Sequence, residues 1–260
     1  MDTAMIVETL ASGAVIGFVL GLVGGGGSIL AVPLLVYWVG VESAHEAIGT
    51  AAVAVALNAL IGLFGHARAR NVKWNCALVF SASGVVGAAL GAEAGKAMNG
   101  EHLLAAFGGL MVVVGALTIR GRKGGSDPDV RLDAASARRL LPRLVGLGLA
   151  VGLLAGFFGI GGGFLIVPGL IAATAMPIGV AVGSSLVVVS ALGLTTSASY
   201  ALSGYVDWVL VALLAAGGLV GSVFGRLLGV RLAQSKNLLD RGFGAMVIAI
   251  GLFVILKPAG

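Results

Sequence analysis

The chain sets long stretches without a single charge between short polar segments. Residues 9–41, 47–65, 74–92, 103–119, 144–206, 208–225 and 242–256 contain no Asp, Glu, Lys or Arg. A helix needs about 20 apolar residues to cross a bilayer, so the pattern predicts a set of membrane-spanning helices. The first stretch is 33 residues long, about 50 Å as one helix at 1.5 Å per residue. That is too long for one crossing of about 30 Å and too short for two crossings and a turn. Four consecutive glycines, Gly24, Gly25, Gly26 and Gly27, lie inside it. Glycine costs about 1 kcal/mol inside a helix and permits the φ values of a tight turn, so two shorter helices meeting at the glycines are expected.

The same break returns. GLVGGGGSILAVP at Gly21–Pro33 and GFFGIGGGFLIVP at Gly156–Pro168 superpose at an offset of 135, matching Gly17/Gly152, Gly24/Gly159, Gly26/Gly161, Gly27/Gly162 and Pro33/Pro168. Further on, Gly49 falls opposite Gly183, Thr50 opposite Ser184 and Trp74 opposite Trp208. The track Gly84, Gly87, Gly91, Gly95 returns as Gly218, Gly221, Gly225, Gly229, spacing that lets another helix approach closely. The chain is therefore read as a duplication: repeat 1 over 1–119, a linker over 120–143 and repeat 2 over 144–260.

Composition and charge sharpen this picture. Hydrophobic residues make up 58% and charged residues 10%, against roughly half and a quarter in soluble domains, which excludes a soluble fold. The net charge of +5 lies in short loops rather than on one accessible surface, so nucleic acid is not an expected partner. Cys76 is the one cysteine, which excludes an internal disulfide and Cys-based metal or redox chemistry; no cofactor is expected. Asp2 and Glu8 flank the first apolar residues with no basic region before them, so a cleaved signal peptide is not expected.

The basic residues also orient the halves. If each glycine-broken segment enters and leaves on one side, as a re-entrant pair or two tilted crossings, the halves are inverted. The segments 66–73, 120–143 and 226–241 then share a side with 14 of the 16 Lys and Arg. Single crossings would make the halves parallel and split the charges 11 to 5. The positive-inside rule favours inversion. The expected fold is an all-α polytopic membrane protein of two inverted-topology repeats, each a glycine-broken helix pair followed by three transmembrane helices. The cell (inner) membrane is the expected location, with the linker cytoplasmic and both termini outside.

Inverted repeats with discontinuous helices are a recurring transporter plan. A helix restarting at about Ser28 and another at Gly163 would present free N–H groups and a partial positive charge, with glycines leaving them uncovered for an anion. No Lys or Arg lies inside the spans, so hydroxyls and amides would supply the other donors. The candidate substrate-binding set is Gly24–Gly27, Ser28, Thr50, Asn58, Gly159, Gly161, Gly162, Gly163, Ser184, Ser185 and Ser190. The competing reading is that the glycines only pack helices and that Ser and Thr bond their own backbone. Glu93 and Lys96 are expected to form an ion pair at the membrane rim. An intramembrane enzyme would need paired acids, histidines or a nucleophile with its base, which the spans lack. A scaffold without substrate gives no reason for two matched glycine turns.

The twin motifs, in a duplicated chain of this length, resemble the TauE/SafE family of sulfite and sulfonate exporters, also called the toluene sulfonate uptake permease family. The resemblance covers about residues 10–256, and by position Gly24–Gly27 and Gly159–Gly163 carry over. Ile160 opposite Gly25 is a departure from the internal symmetry. The resemblance implies transport of small sulfur-containing anions such as sulfite, thiosulfate or organosulfonates, coupled to a proton or sodium gradient. A passive anion channel, or a transporter of another small organic anion, is the alternative. Oligomeric state is not legible in the sequence.

Overall fold

In the computed structural model, which describes residues 3–23, 25–120, 130, 132–159, 163–232 and 236–256, the first uncharged stretch breaks at the glycines. Helix α1 runs Thr3–Val23, a 3-10 helix runs Gly25–Leu30, and α2 covers Ala31–Tyr37. The expected restart at Ser28 is thus corrected: Ser28 lies within the 3-10 helix, and regular α-helix starts only at Ala31. Consecutive glycines carry the largest entropy cost of α-helix formation, and the tighter i→i+3 turn is the form such short, strained connections take.

The first half continues with α3 (Ala44–Arg68), α4 (Trp74–Lys96) and α5 (Gly100–Arg120). Ser43 caps α3 by accepting the Glu46 N–H at 3.3 Å. The second half comprises α6 (Ala134–Phe157), α7 (Gly163–Thr174), α8 (Ile178–Leu202), α9 (Trp208–Leu232) and α10 (Lys236–Leu256). At the start of α6 a capping box forms: the Asp133 carboxylate accepts the Ser136 N–H at 2.8 Å, and the Ser136 hydroxyl accepts the Asp133 N–H at 3.0 Å. This start draws Arg138, Arg139 and Arg143, inside the segment read as linker, into helix.

Pairing between the halves follows the duplication. Helix α1 packs on α9 just as its counterpart α6 packs on α4; α3 packs on α8 and α5 on α10. The contacts are backbone to backbone at glycine. A Cβ on Gly17 would strike the Gly218 carbonyl, and one on Gly152 would strike the Gly84 carbonyl. Such approach is how helices associate in lipid, where apolar surface alone gives no preference for a neighbouring helix.

The same contacts give direction. Leu10, Ala14 and Phe18 meet Gly217, Gly221 and Gly225 in that order, so α1 and α9 run parallel, as do α4 and α6 through Gly84–Gly152 and Ala88–Gly156. Helices α3 and α8 run antiparallel, with Gly49 against Tyr200, Ala56 against Gly193 and Gly62 against Leu186. Helices α5 and α10 are antiparallel too, through Gly108–Gly251 and Gly115–Gly244. Each of these two pairs joins a helix to its own repeat counterpart.

Among the described residues seven helices are long and apolar enough to cross a membrane, and Gly27–Tyr37, Gly163–Thr174 and Gly244–Leu256 are shorter apolar helices. The outward faces agree: Phe64, Val86, Leu90, Val113, Leu117, Phe224 and Leu227 are all more than half exposed, an apolar surface that suits lipid rather than water. Trp74 and Trp208, at equivalent positions starting α4 and α9, are exposed at 46% and 63%, as interfacial anchors require.

Candidate functional site

Gly218 carries Asn58 on one side and Gly17 on the other, while Gly84 carries Leu192 and Gly152. Because Ala56 meets Gly193 across the α3–α8 pair, these two glycine clusters lie at about one level, the middle of the bundle. Helix α1 passes this level by six residues before ending at Val23, about 9 Å at 1.5 Å per residue. Helix α6 passes it by five residues, about 8 Å, in the opposite direction. Helices α1 and α6 therefore end beyond the centre on opposite sides. A Cβ on Gly27 would strike the Leu20 amide and the Ile16 carbonyl, which places the 3-10 helix against α1 on its way back. That helix packs directly on α7. Near the centre the 3-10 helix thus lies between α1 and α7.

Of the glycine-motif candidates, Gly24, Gly161 and Gly162 lie outside the described residues. Gly25, Gly26, Gly27 and Ser28 form the 3-10 helix, Ser28 being fully buried. Gly159 ends the first arm of the second break with φ +62, a conformation open to glycine at no steric cost, and its α-carbon faces the Ile48 side chain closely. Gly163 opens α7.

The hydroxyl candidates separate along the bundle. Thr50 and Ser184 each lie eight residues from the central pair Asn58 and Leu192, about 12 Å away toward opposite ends. Both are fully buried, and each accepts a backbone N–H that begins a helix of the other half. The Asp207 N–H donates to Thr50 Oγ1 at 3.0 Å, and the Lys73 N–H donates to Ser184 Oγ at 2.9 Å. Asp207 and Lys73 are themselves repeat counterparts. Beside each clamp, the loop carbonyl of Tyr205 presses on Gly49 and that of Asn71 on Gly183. Ser185 donates to the Val182 carbonyl at 2.8 Å and Ser190 to the Leu186 carbonyl at 2.7 Å, the intrahelical bonding available to serine in lipid. Thr50 and Ser184 thus have a structural task that residue type alone did not reveal.

Asn58 differs. It is 3% exposed, it stands at the central level against the Gly218 backbone, and its Oδ1 has no hydrogen-bond partner among the described residues. Its counterpart Leu192 fills the equivalent place over Gly84 with an apolar side chain. Packing at that crossing therefore does not require an amide, and an unpaired amide in lipid costs several kcal/mol.

At one rim, Lys96 Nζ sits 2.7 Å from Glu93 Oε1, forming the expected ion pair. The Ser199 hydroxyl donates to the same carboxylate at 2.9 Å, and Lys96 donates to the Ser203 hydroxyl at 3.0 Å, tying α4 to α8.

Two pseudo-equivalent sets of helices, paired through glycine and clad in apolar side chains, define a polytopic helical membrane protein. The sulfite exporter TauE/SafE family model matches residues 9–254, and the chain belongs to that family. It is 45% identical over 257 residues to a "Probable membrane transporter protein" of Xylella fastidiosa strain Temecula1, covering 99% of this chain and 97% of the relative. It is 28% identical over 260 residues to "Probable membrane transporter protein YunE" of Bacillus subtilis strain 168, covering 94% and 93%. No solved structure matches significantly. The protein is a membrane transporter rather than an enzyme.

Proposed function

We propose that this transporter carries small sulfur-containing oxyanions, namely sulfite, thiosulfate or an organosulfonate, by alternating access between two inverted repeats. The observation that carries the proposal is the packing of the 3-10 helix on α7, each following a glycine break, near the level of the buried Asn58 amide. Backbone N–H groups over Gly24–Ser28 and Gly159–Gly163 form the cradle, because glycine leaves donors uncovered and a helix start such as that of α7 favours negative charge. Asn58 supplies the side-chain hydrogen bond.

Inversion is supported by the antiparallel α3–α8 and α5–α10 pairs and by the charge count, since inverted halves would gather 14 of the 16 Lys and Arg on one side against an 11 to 5 split for parallel ones. That side is the cytoplasm in this reading, with repeat 1 over 1–119 and repeat 2 over 144–260 rocking about the cradle and both termini outside. Each break enters and leaves from its own side as a re-entrant pair. A proton or sodium gradient drives the cycle, and the location is the cell (inner) membrane.

Counterflow in proteoliposomes tests the substrate. Vesicles preloaded with sulfite, thiosulfate, sulfate, taurine or sulfoacetate should accumulate labelled sulfite or thiosulfate. Exchange with none of the sulfur anions sinks the proposal, and flux indifferent to collapsed proton and sodium gradients converts the protein into a passive pathway.

A further inference from the structure

A second group of polar atoms lies between the Lys96 rim and the Gly159 turn, and neither the duplication nor the cradle accounts for it. Tyr200, near the end of α8, is fully buried, yet its hydroxyl has no hydrogen-bond partner among the described residues. His45, in the first turn of α3, likewise has a buried Nε2 without a partner. The two are joined by Tyr205: its ring centroid is 5.4 Å from that of His45 and 6.3 Å from that of Tyr200. Both unpaired atoms can donate a hydrogen bond. One turn along α3 from His45, Ile48 touches Gly159, so the group stands beside the entrance to the second glycine break. The nearby Glu93 carboxylate is held by Lys96 and Ser199 and does not face the group as a bare negative charge.

The opposite end has no match. His66 stands at the position equivalent to Tyr200, but Gly179 stands where His45 would be. Buried donors are hydrogen-bonded in native proteins, and each exception calls for a missing partner. Two such exceptions joined through one ring, on the route to a cradle for anions, call for a shared one.

We propose that Tyr200 Oη and His45 Nε2 form an entry subsite that binds a small oxyanion by two hydrogen bonds at the Lys96 face before it reaches the glycine cradle. The subsite rests on the oxyanion reading of the central site and makes the two faces of the transporter unequal.

The test uses full-length protein in proteoliposomes, with orientation read from an impermeant maleimide on Ala97→Cys in a Cys76→Ala background. KM for sulfite and thiosulfate is measured at each face. Tyr200→Phe keeps the ring and removes only the hydroxyl; His45→Phe keeps the stacking and removes the donor. Each should raise KM about tenfold at the Lys96 face and leave the other face unchanged, while His45→Gln, which retains a donor, should restore most of the affinity. If Tyr200→Phe raises the melting temperature and leaves KM unchanged at both faces, the hydroxyl is a buried orphan and the subsite is overturned while the central reading stands. Wild-type protein that exchanges neither anion overturns both.

Discussion

Asn58→Leu asks whether the central amide serves a ligand or merely fills space. The protein already contains the answer to the packing half of the question, because Leu192 occupies the repeat-equivalent place over Gly84. Leucine and asparagine share a branched outline beyond Cβ, so the substitution at Gly218 introduces no large cavity. It removes a buried Oδ1 that lacks a partner among the described residues, a state that costs about 1–3 kcal/mol. At about 2–4 °C per kcal/mol for a chain of 150–250 residues, the melting temperature in detergent should rise by several degrees. Transport should move the other way. Losing one hydrogen bond to a charged substrate weakens binding by about 10- to 100-fold, read as the half-saturating concentration in sulfite counterflow. A stabilised variant with impaired exchange is the signature of a residue kept for its ligand. Unchanged exchange would refute the role of Asn58, and a lowered melting temperature would show that the amide is paired inside the protein.

Two further outcomes test the frame around the site. With Cys76→Ala as background, single cysteines at Asn71 and Ala97, both exposed in inter-helix turns, should label with an impermeant maleimide from opposite faces of the membrane; labelling from one face contradicts the helix directions. Thr50→Val deletes the acceptor of the Asp207 N–H and should destabilise the protein by about 1–3 kcal/mol, whereas Thr50→Ser should retain wild-type stability in thermal melts. An equal loss in both variants would mean that the methyl group, not the clamp, matters.

The residues differ in how far their roles could be read in advance. Gly24–Gly27 declared a break because such a run costs an α-helix about 1 kcal/mol per glycine, and an apolar stretch of 33 residues fits no whole number of crossings. The Glu93–Lys96 pair was equally legible, since residues three apart on a helix are neighbours. Thr50 and Ser184 were harder: their place in the duplication was visible, but their partners, the Asp207 and Lys73 amides, lie more than 100 residues away in the chain. Tyr200 and His45 gave no signal at all, because nothing in either local pattern tells a buried orphan from an interfacial aromatic or a solvated end.

The sequence by itself determined the class of protein, the twin glycine motifs and where the helices around them break. These follow from hydropathy, glycine content and spacing, all of which act within one or two helical turns. Tertiary structure decided which helices touch, that a 3-10 helix follows the first break, and that Asn58, unlike Thr50, Ser184, Ser185 and Ser190, keeps a buried polar atom without a partner among the described residues. Those outcomes depend on backbone approaches between helices far apart in sequence, where the absence of a Cβ on Gly17, Gly84, Gly152 or Gly218 sets the distance. No periodicity along a single helix carries that information.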